Sequence, residues 1–368
     1  MPMMTQTETS PRRLNLALQG GGSHGAFTWG VLDALLEDGQ WQFDGVSGTS
    51  AGAMNAVALA HGFARAAQAH KDPGEVHRAG CALARESLTR LWEGVGTLGN
   101  LMGGLPLATA NPVLGMMRQW LSPYQTNPLD INPLRGLLER EIDFALLRAA
   151  HGARPVAAHR VPHGSAHGAE GTTADGPKVF VCATNVRTGR SQIFSGPRLS
   201  VDAVMASACL PLLFQAVEID GEHYWDGGYS GNPALHPLIY QTGTSDILLV
   251  QINPIEHPTL PHSGAEIIER INEVTFNASL LAELRAIEFV RRLLAEGKLD
   301  PRRYKSVRMH RIDGGAVLQP FAADSKMRAD LAFVRQLFAL GREAGQQWLQ
   351  AHRQDVGLRP SIKIADNA

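Results

Sequence analysis

Cysteine is scarce in this 368-residue chain: Cys81, Cys182 and Cys209 are the full complement, and their spacing fits no metal-ligand framework. An odd number of thiols, two of them in apolar segments, excludes a disulfide scaffold and predicts reduced core residues. Excess charge of either sign is also missing. The chain has 34 Lys and Arg against 35 Asp and Glu, so no overall field draws it to nucleic acid or an anionic membrane, and any membrane contact must be local. Long hydrophobic runs are absent too. Nothing approaches the ~18 apolar residues that span a bilayer, and the longest candidate, around Ala51 to Ala60, is interrupted by Gly52 and Asn55. The stretch from Met1 to Arg13 has no apolar segment ahead of its arginines, unlike a secretory signal, so a cytoplasmic location is expected. What remains, 44% hydrophobic and 19% charged residues, is ordinary for a globular protein large enough for one large α/β domain or two smaller ones.

Two strand, turn and helix units open the chain. Leu14 to Leu18 reads as a strand, followed by Gln19, the run Gly20-Gly21-Gly22-Ser23-His24-Gly25, and a helix with Phe27, Val31, Leu32, Leu35 and Leu36 at helical spacing that stops at Gly39. Phe43 to Ser47 reads as a second strand, leading through Gly48-Thr49-Ser50-Ala51-Gly52 into a helix of small residues. Such units in succession predict a mostly parallel sheet with helices packed on it, and place both glycine turns at one sheet edge, where α/β folds bind ligands.

The segment 62–132 is rich in Gly, Pro and Met with weak periodicity, and is expected to form a cap over the site, either a mobile lid or a structural insertion. Residues 1–13 and 149–177 are expected to be disordered. His151, His159, His163 and His167 fall in the latter without a carboxylate or Cys framework, so solvated low complexity is preferred to a metal site. Order is expected again in strands at Val179–Thr184 and Ser191–Phe194, a helix at Val201–Ala208, and a hairpin around Asp220-Gly221 that delivers Asp226-Gly227-Gly228. Ile247 to Ile252 has the continuous apolar pattern of a strand buried on both faces. The amphipathic helix after it carries Ile267, Ile268, Ile271, Val274, Ala278, Leu281 and Leu284 as its apolar positions. A strand near Val307–Ile312, a helix from about Ser325 to Ala351 and a loose tail from 354 end the chain.

The chemistry rests on three motifs. G-x-S-x-G between a strand and a small-residue helix is what a nucleophile elbow requires, because Gly48 and Gly52 let strand and helix close sharply around an exposed Ser50. The alternative is a structural serine in a tight turn. The run from Gly20 to Gly25 leaves unshielded N–H groups at a helix N-terminus, suited to the oxyanion of acyl transfer or to the phosphates of a dinucleotide. In the dinucleotide reading, an oxidoreductase, Asp44 lies about twenty residues on, near where a ribose-binding acid falls, but the Ser50 turn competes for the same place. A serine needs a base. Asp226 ends a short strand, and Gly227 and Gly228 turn the backbone while leaving the carboxylate facing a cleft, where desolvation would strengthen it as a base. His236 is the reserve candidate, and His257, His262 and His310 also follow Asp226.

In this order the three motifs resemble those of the patatin-like phospholipases, as do Ser207-Ala208-Cys209-Leu210-Pro211 with Phe214 and, later, Asn232-Pro233. The resemblance covers about 14–252. It implies a patatin-like three-layer α/β catalytic domain over 14–252, with a mainly helical region over 253–353 packed on it. It also implies a Ser50–Asp226 dyad with no cofactor or metal, and an oxyanion hole in the loop Gly20, Gly21, Gly22, Ser23, His24, Gly25, with N–H donors among Gly21, Gly22 and Ser23. The substrate implied is a lipid or fatty acyl ester, with transient contact to a membrane surface. The loop's basic position, Arg or Lys in the family, is His24 here. A catalytically silent scaffold with the same glycines is the remaining alternative.

Overall fold

The computed structural model describes residues 11–101, 122–152, 176–257, 260–321 and 323–364. Eight strands form one sheet: β1 (Arg12–Leu18), β2 (Trp41–Thr49), β3 (Lys178–Asn185), β4 (Ser191–Phe194), β5 (Val217–Ile219), β6 (Glu222–Asp226), β7 (Asp246–Gln251) and β8 (Arg308–Asp313). Their order is β5-β6-β3-β2-β1-β7-β8, with β4 paired to β3. The strands from β3 through β2, β1 and β7 to β8 run parallel, and the β3–β4, β3–β6 and β5–β6 pairs are antiparallel. The expected mostly parallel sheet is therefore present, with an antiparallel flank.

Helices cover both faces, because side chains alternate along each buried strand. Leu14, Leu16 and Leu18 of β1 join the larger core cluster and Ala17 the smaller. The larger side holds α1 (Gly25–Asp38), α2 (Ala51–Ala69) and α3 (Pro73–Leu101) and, after the one-turn α4 (Pro123–Thr126) in the chain, α5 (Pro133–Glu141), α6 (Phe144–Gly152) and α7 (Val201–Ser207). On the smaller side lie α8 (His236–Gln241) and α9 (Gly264–Ala295). The short α10 (Gly315–Leu318) precedes α11 (Leu331–His352), which returns to the larger side and crosses α1 so closely that a Cβ on Gly341 would lie 1.9 Å from the Phe27 carbonyl oxygen.

Three expectations are revised. The cap expected over 62–132 begins as core: residues 62–69 end α2, and α3 buries Val76, Cys81, Ala84, Leu88, Leu91 and Trp92. The weak periodicity reflects a long helix with glycines at its contacts; a Cβ on Gly80 would meet the Phe63 ring at 2.3 Å. Residues 102–121 lie outside the described residues, as do 1–10 and 153–175 with His159, His163 and His167; of the segments expected to be disordered, Arg12 and Arg13 instead open β1 and 149–152 end α6. Secondly, the tail is not loose from 354. Asp355, Val356 and Ile364 are buried, and the Gly357 and Ser361 N–H groups bond to Asp246 and to the Met309 carbonyl. Thirdly, α9 has the expected period but turns a different stripe inward over its first half, and of the expected positions Leu284 is the buried one. Ile267, Ile268, Ile271 and Val274 are exposed, while Glu273, Asn277, Leu280, Leu284 and Ile287 point inward. All three cysteines are buried and free.

Candidate active site

Strand β3 is the ruler that aligns the site. It pairs with β2 through Cys182, which faces Thr49, and with β6 from Ala183, which faces Asp226. Strand β4 occupies the other edge of β3 along Val181 to Thr184, so β2 and β6 must share one edge, end to end. The residue after Thr49 and the carboxylate of Asp226 therefore meet beside consecutive residues of a single strand. The pairing is tight: a Cβ on Gly227 would lie 2.1 Å from the Cys182 carbonyl oxygen and 3.0 Å from Thr49 Cγ2.

Ser50 is a non-glycine residue at φ +54°, in a region that costs about 1–3 kcal/mol and persists only where the surroundings impose it. Those surroundings are visible. Its N–H donates to Ser207 Oγ (2.9 Å), whose hydroxyl donates to the Cys182 carbonyl (2.5 Å), and its carbonyl accepts from Ala53 and Met54 in the first turn of α2. Gly48 and Gly52 allow the sharp strand-to-helix closure: a Cβ on Gly48 would lie 2.3 Å from the Gly52 oxygen, and one on Gly52 would lie 2.1 Å from the Leu18 oxygen. Ala51 packs under Gly25, where a Cβ would approach its own at 2.5 Å. The elbow and the glycine loop are thus in direct contact, and Gly20 faces Ser50, with 2.7 Å left for a Cβ.

Asp226 is 1% exposed. Its Oδ1 accepts from the Gly228 N–H at 2.7 Å, and its own N–H donates to the Cys209 carbonyl. Oδ2 has no partner at full hydrogen-bonding geometry among the described residues, although the Ser50 hydroxyl is close enough to lower the carboxyl pKa. The contact is looser than a formed hydrogen bond, as in many resting active sites, where such bonds tighten only with substrate. Burial dominates the electrostatics. It raises the pKa from 3.8 to about 7, against the lowering by the Gly228 N–H and Ser50. Among the described residues no cation offsets the desolvation, an environment that lets a carboxyl take up and release a proton near neutral pH.

The glycine loop sorts its own amides. Gly20 N–H is spent on Asn232 Oδ1 (2.7 Å), and the His24 and Gly25 N–H groups close a short 3-10 turn. The N–H groups of Gly21, Gly22 and Ser23 bond to no acceptor among the described residues. Of the six loop residues, these three keep N–H groups available as donors. Gly22 sits at φ +59°, where a side chain would be strained and a Cβ would lie 2.2 Å from the Lys326 carbonyl oxygen. His24 is buried and bonded to Ser325 Oγ (2.8 Å). Desolvation, then the charge of Lys326, lowers its pKa to about 3, so it brings no positive charge to the loop.

Other candidates are placed elsewhere. Asp44 is paired with Arg13 and accepts from the Thr244 N–H, which commits it structurally and removes it as a ribose ligand. His236 faces Glu283, His257 faces Glu273 and His310 faces Asp246. No group of His, Cys, Asp and Glu suited to a metal occurs among the described residues. A cavity of about 800 Å³ lined by His61, Arg65, Phe144 and Arg148 lies at the far end of α2, roughly 15 Å or more along the helix from Ser50, and holds none of the motif residues.

Sequence reasoning missed several supporting residues. Ser207 clamps the elbow. Gln19, Asn253 and Asn277 surround Gly20 with Asn232, all four at most 2% exposed. Their signal was present as polar residues in otherwise buried positions: Gln19 at the end of an apolar strand, Asn253 just after another, and Asn277 on the inner face of α9.

With this geometry in view, a family model described as patatin-like phospholipase matches residues 16–239. The chain belongs to the patatin-like phospholipase family. That membership makes it a lipid acyl hydrolase by class. No curated protein matches. The solved structure of VipD from Legionella pneumophila is similar over 94% of this chain and 68% of its own, with 16% sequence identity and a TM-score of 0.41. Among the described residues no helix is long and apolar enough to cross a membrane.

Proposed function

We propose that this patatin-like protein hydrolyses fatty acyl esters of lipids through a Ser50–Asp226 dyad, of the phospholipase A, lysophospholipase or esterase type. The Ser50 hydroxyl attacks the acyl carbonyl while Asp226 accepts its proton, and the oxyanion is held by N–H groups of Gly21, Gly22 and Ser23. Collapse of the tetrahedral intermediate expels the alcohol, which takes the proton from Asp226. Water then attacks the acyl-enzyme, giving up its proton to Asp226, and a free fatty acid leaves as the serine is restored. The α2 N-terminus at Ser50 favours the developing negative charge. None of these steps calls on a cofactor, and transient contact with a lipid surface would deliver the substrate.

The observation that carries this reading is the buried Asp226 Oδ2, with no formed hydrogen bond among the described residues, beside a serine in strained geometry. Fatty acid release measured across phospholipids, lysophospholipids, triacylglycerol and acyl thioesters, with Ser50→Ala as control, tests it. Release that survives Ser50→Ala, or a wild type that neither releases acid nor reacts with a fluorophosphonate, rejects it. In the second outcome, retention of nicotinamide cofactor would restore the oxidoreductase reading, and its absence would leave a silent scaffold.

A further inference from the structure

Three consecutive glycines hold no conformation by themselves, yet the hole requires the Gly21 N–H to face the reacting carbonyl. One peptide unit decides this. The Gly20 carbonyl and the Gly21 N–H belong to the same planar trans amide and point in opposite directions. Whatever grips the Gly20 oxygen therefore aims the Gly21 N–H. That oxygen accepts from Asn253 Nδ2 at 2.6 Å, with Asn232 Nδ2 further off at 3.4 Å. Asn253 is in turn held by Gln19, whose Oε1 accepts from the Ile252 and Asn253 N–H groups at 2.9 Å each and from Asn253 Nδ2 at 3.3 Å. Gln19 Nε2 donates onward to Asn277 Oδ1 and the Asn232 carbonyl. Asn253 and Asn277 lie beyond the residues matched by the family model, so the C-terminal region enters the site here.

We propose that Asn253, backed by Gln19, is a positioning residue that keeps the Gly20–Gly21 peptide from flipping. Without the Asn253 amide, this loop of side-chain-free residues can turn the Gly20 carbonyl toward the developing oxyanion, replacing a donor with a repelling acceptor. The inference rests on the acyl-hydrolase reading above, and its test separates the two.

The test uses the full-length protein, a soluble p-nitrophenyl ester, and a trifluoromethyl ketone that adds to Ser50 as an anionic hemiketal. Asn253→Ala is compared with Asn15→Ala, which removes an equally buried amide at the opposite sheet edge, where Asn15 Nδ2 binds Thr242 Oγ1 and the Thr244 carbonyl. Expected for Asn253→Ala is a fall in kcat of about 10- to 100-fold, KM within about threefold, and a matching rise in the ketone inhibition constant. Asn15→Ala lowers Tm but keeps kcat and ketone affinity. If Asn253→Ala does not fold, the isosteric Asn253→Asp, which replaces the donor with an acceptor, is measured instead. Unchanged kcat and ketone affinity in the folded Asn253 variant overturn the proposal, as does an equal loss in Asn15→Ala. A wild type without esterase activity overturns it together with the reading it rests on.

Discussion

The two edges of the central sheet treat buried carboxylates in opposite ways. At the edge where β7 and β8 begin, Asp246 is 1% exposed and fully engaged, accepting from Arg308, His310 and the Gly357 N–H. Burial alone would raise its pKa, but the hydrogen bonds from His310 and Arg308 bring it down to about 2. At the opposite edge Asp226 is equally exposed to solvent at 1%, has no cation among the described residues, and is raised to about 7. Desolvation raises both, so the hydrogen-bonding and charged partners decide whether a carboxylate ties the fold together or stays available for a proton.

The largest effect should come from Asp226 itself. Asp226→Asn is expected to lower kcat by about 10³- to 10⁴-fold, as loss of a member of a Ser-based catalytic unit does, in a steady-state ester assay, while the protein stays folded. A variant retaining a tenth of the activity would break the contrast between the edges. Asp246→Asn should do the reverse. Removing one partner of a buried pair costs about 3–5 kcal/mol, read by urea unfolding, with kcat per folded molecule preserved.

The pH dependence of stability should have opposite signs for the two carboxylates. Asp226 binds its proton more tightly folded than unfolded, so its contribution is fully present below about pH 4 and is lost as pH rises through about 7. The folded pKa of Asp246 is depressed, so its contribution is present above about pH 4 and is lost as pH falls toward 2. Asp226→Asn should therefore stabilise the protein at pH 8, by at most about 4 kcal/mol for a shift from 3.8 to about 7, and change little at pH 4. Denaturant titrations at the two pH values check the sign. In activity, kcat/KM should rise through about pH 7 as Asp226 ionises. The smallest effect is expected from His24→Gln. A histidine with a pKa near 3 does not titrate in that range, so the midpoint of the pH–rate profile should stay where it is.

Legibility followed the range of the interaction. The two turns were readable because a strand, a glycine turn and a helix are adjacent in sequence and the steric demands of Gly48 and Gly52 are local. The face of α9 was not. A period of apolar residues does not say which stripe is buried, and here Glu273 and Asn277 turn inward because they find partners in Lys326, Arg270 and Gln19. Nor was the packing of 355–364, which depends on Asp246, far away in the chain, offering acceptors to Gly357.

The sequence by itself determined the α/β pattern, the strand-to-helix turn around Ser50, the glycine loop and the short strand that ends at Asp226, since each is written in a few contiguous residues with a steric or charge requirement of their own. Tertiary structure decided the rest: β3 sets Thr49 and Asp226 on one edge, burial lifts the Asp226 pKa, and the distant Asn232 amide takes up the Gly20 N–H. Desolvation and hydrogen-bond satisfaction are properties of an enclosed neighbourhood, and that neighbourhood exists only when segments remote in sequence have closed around it.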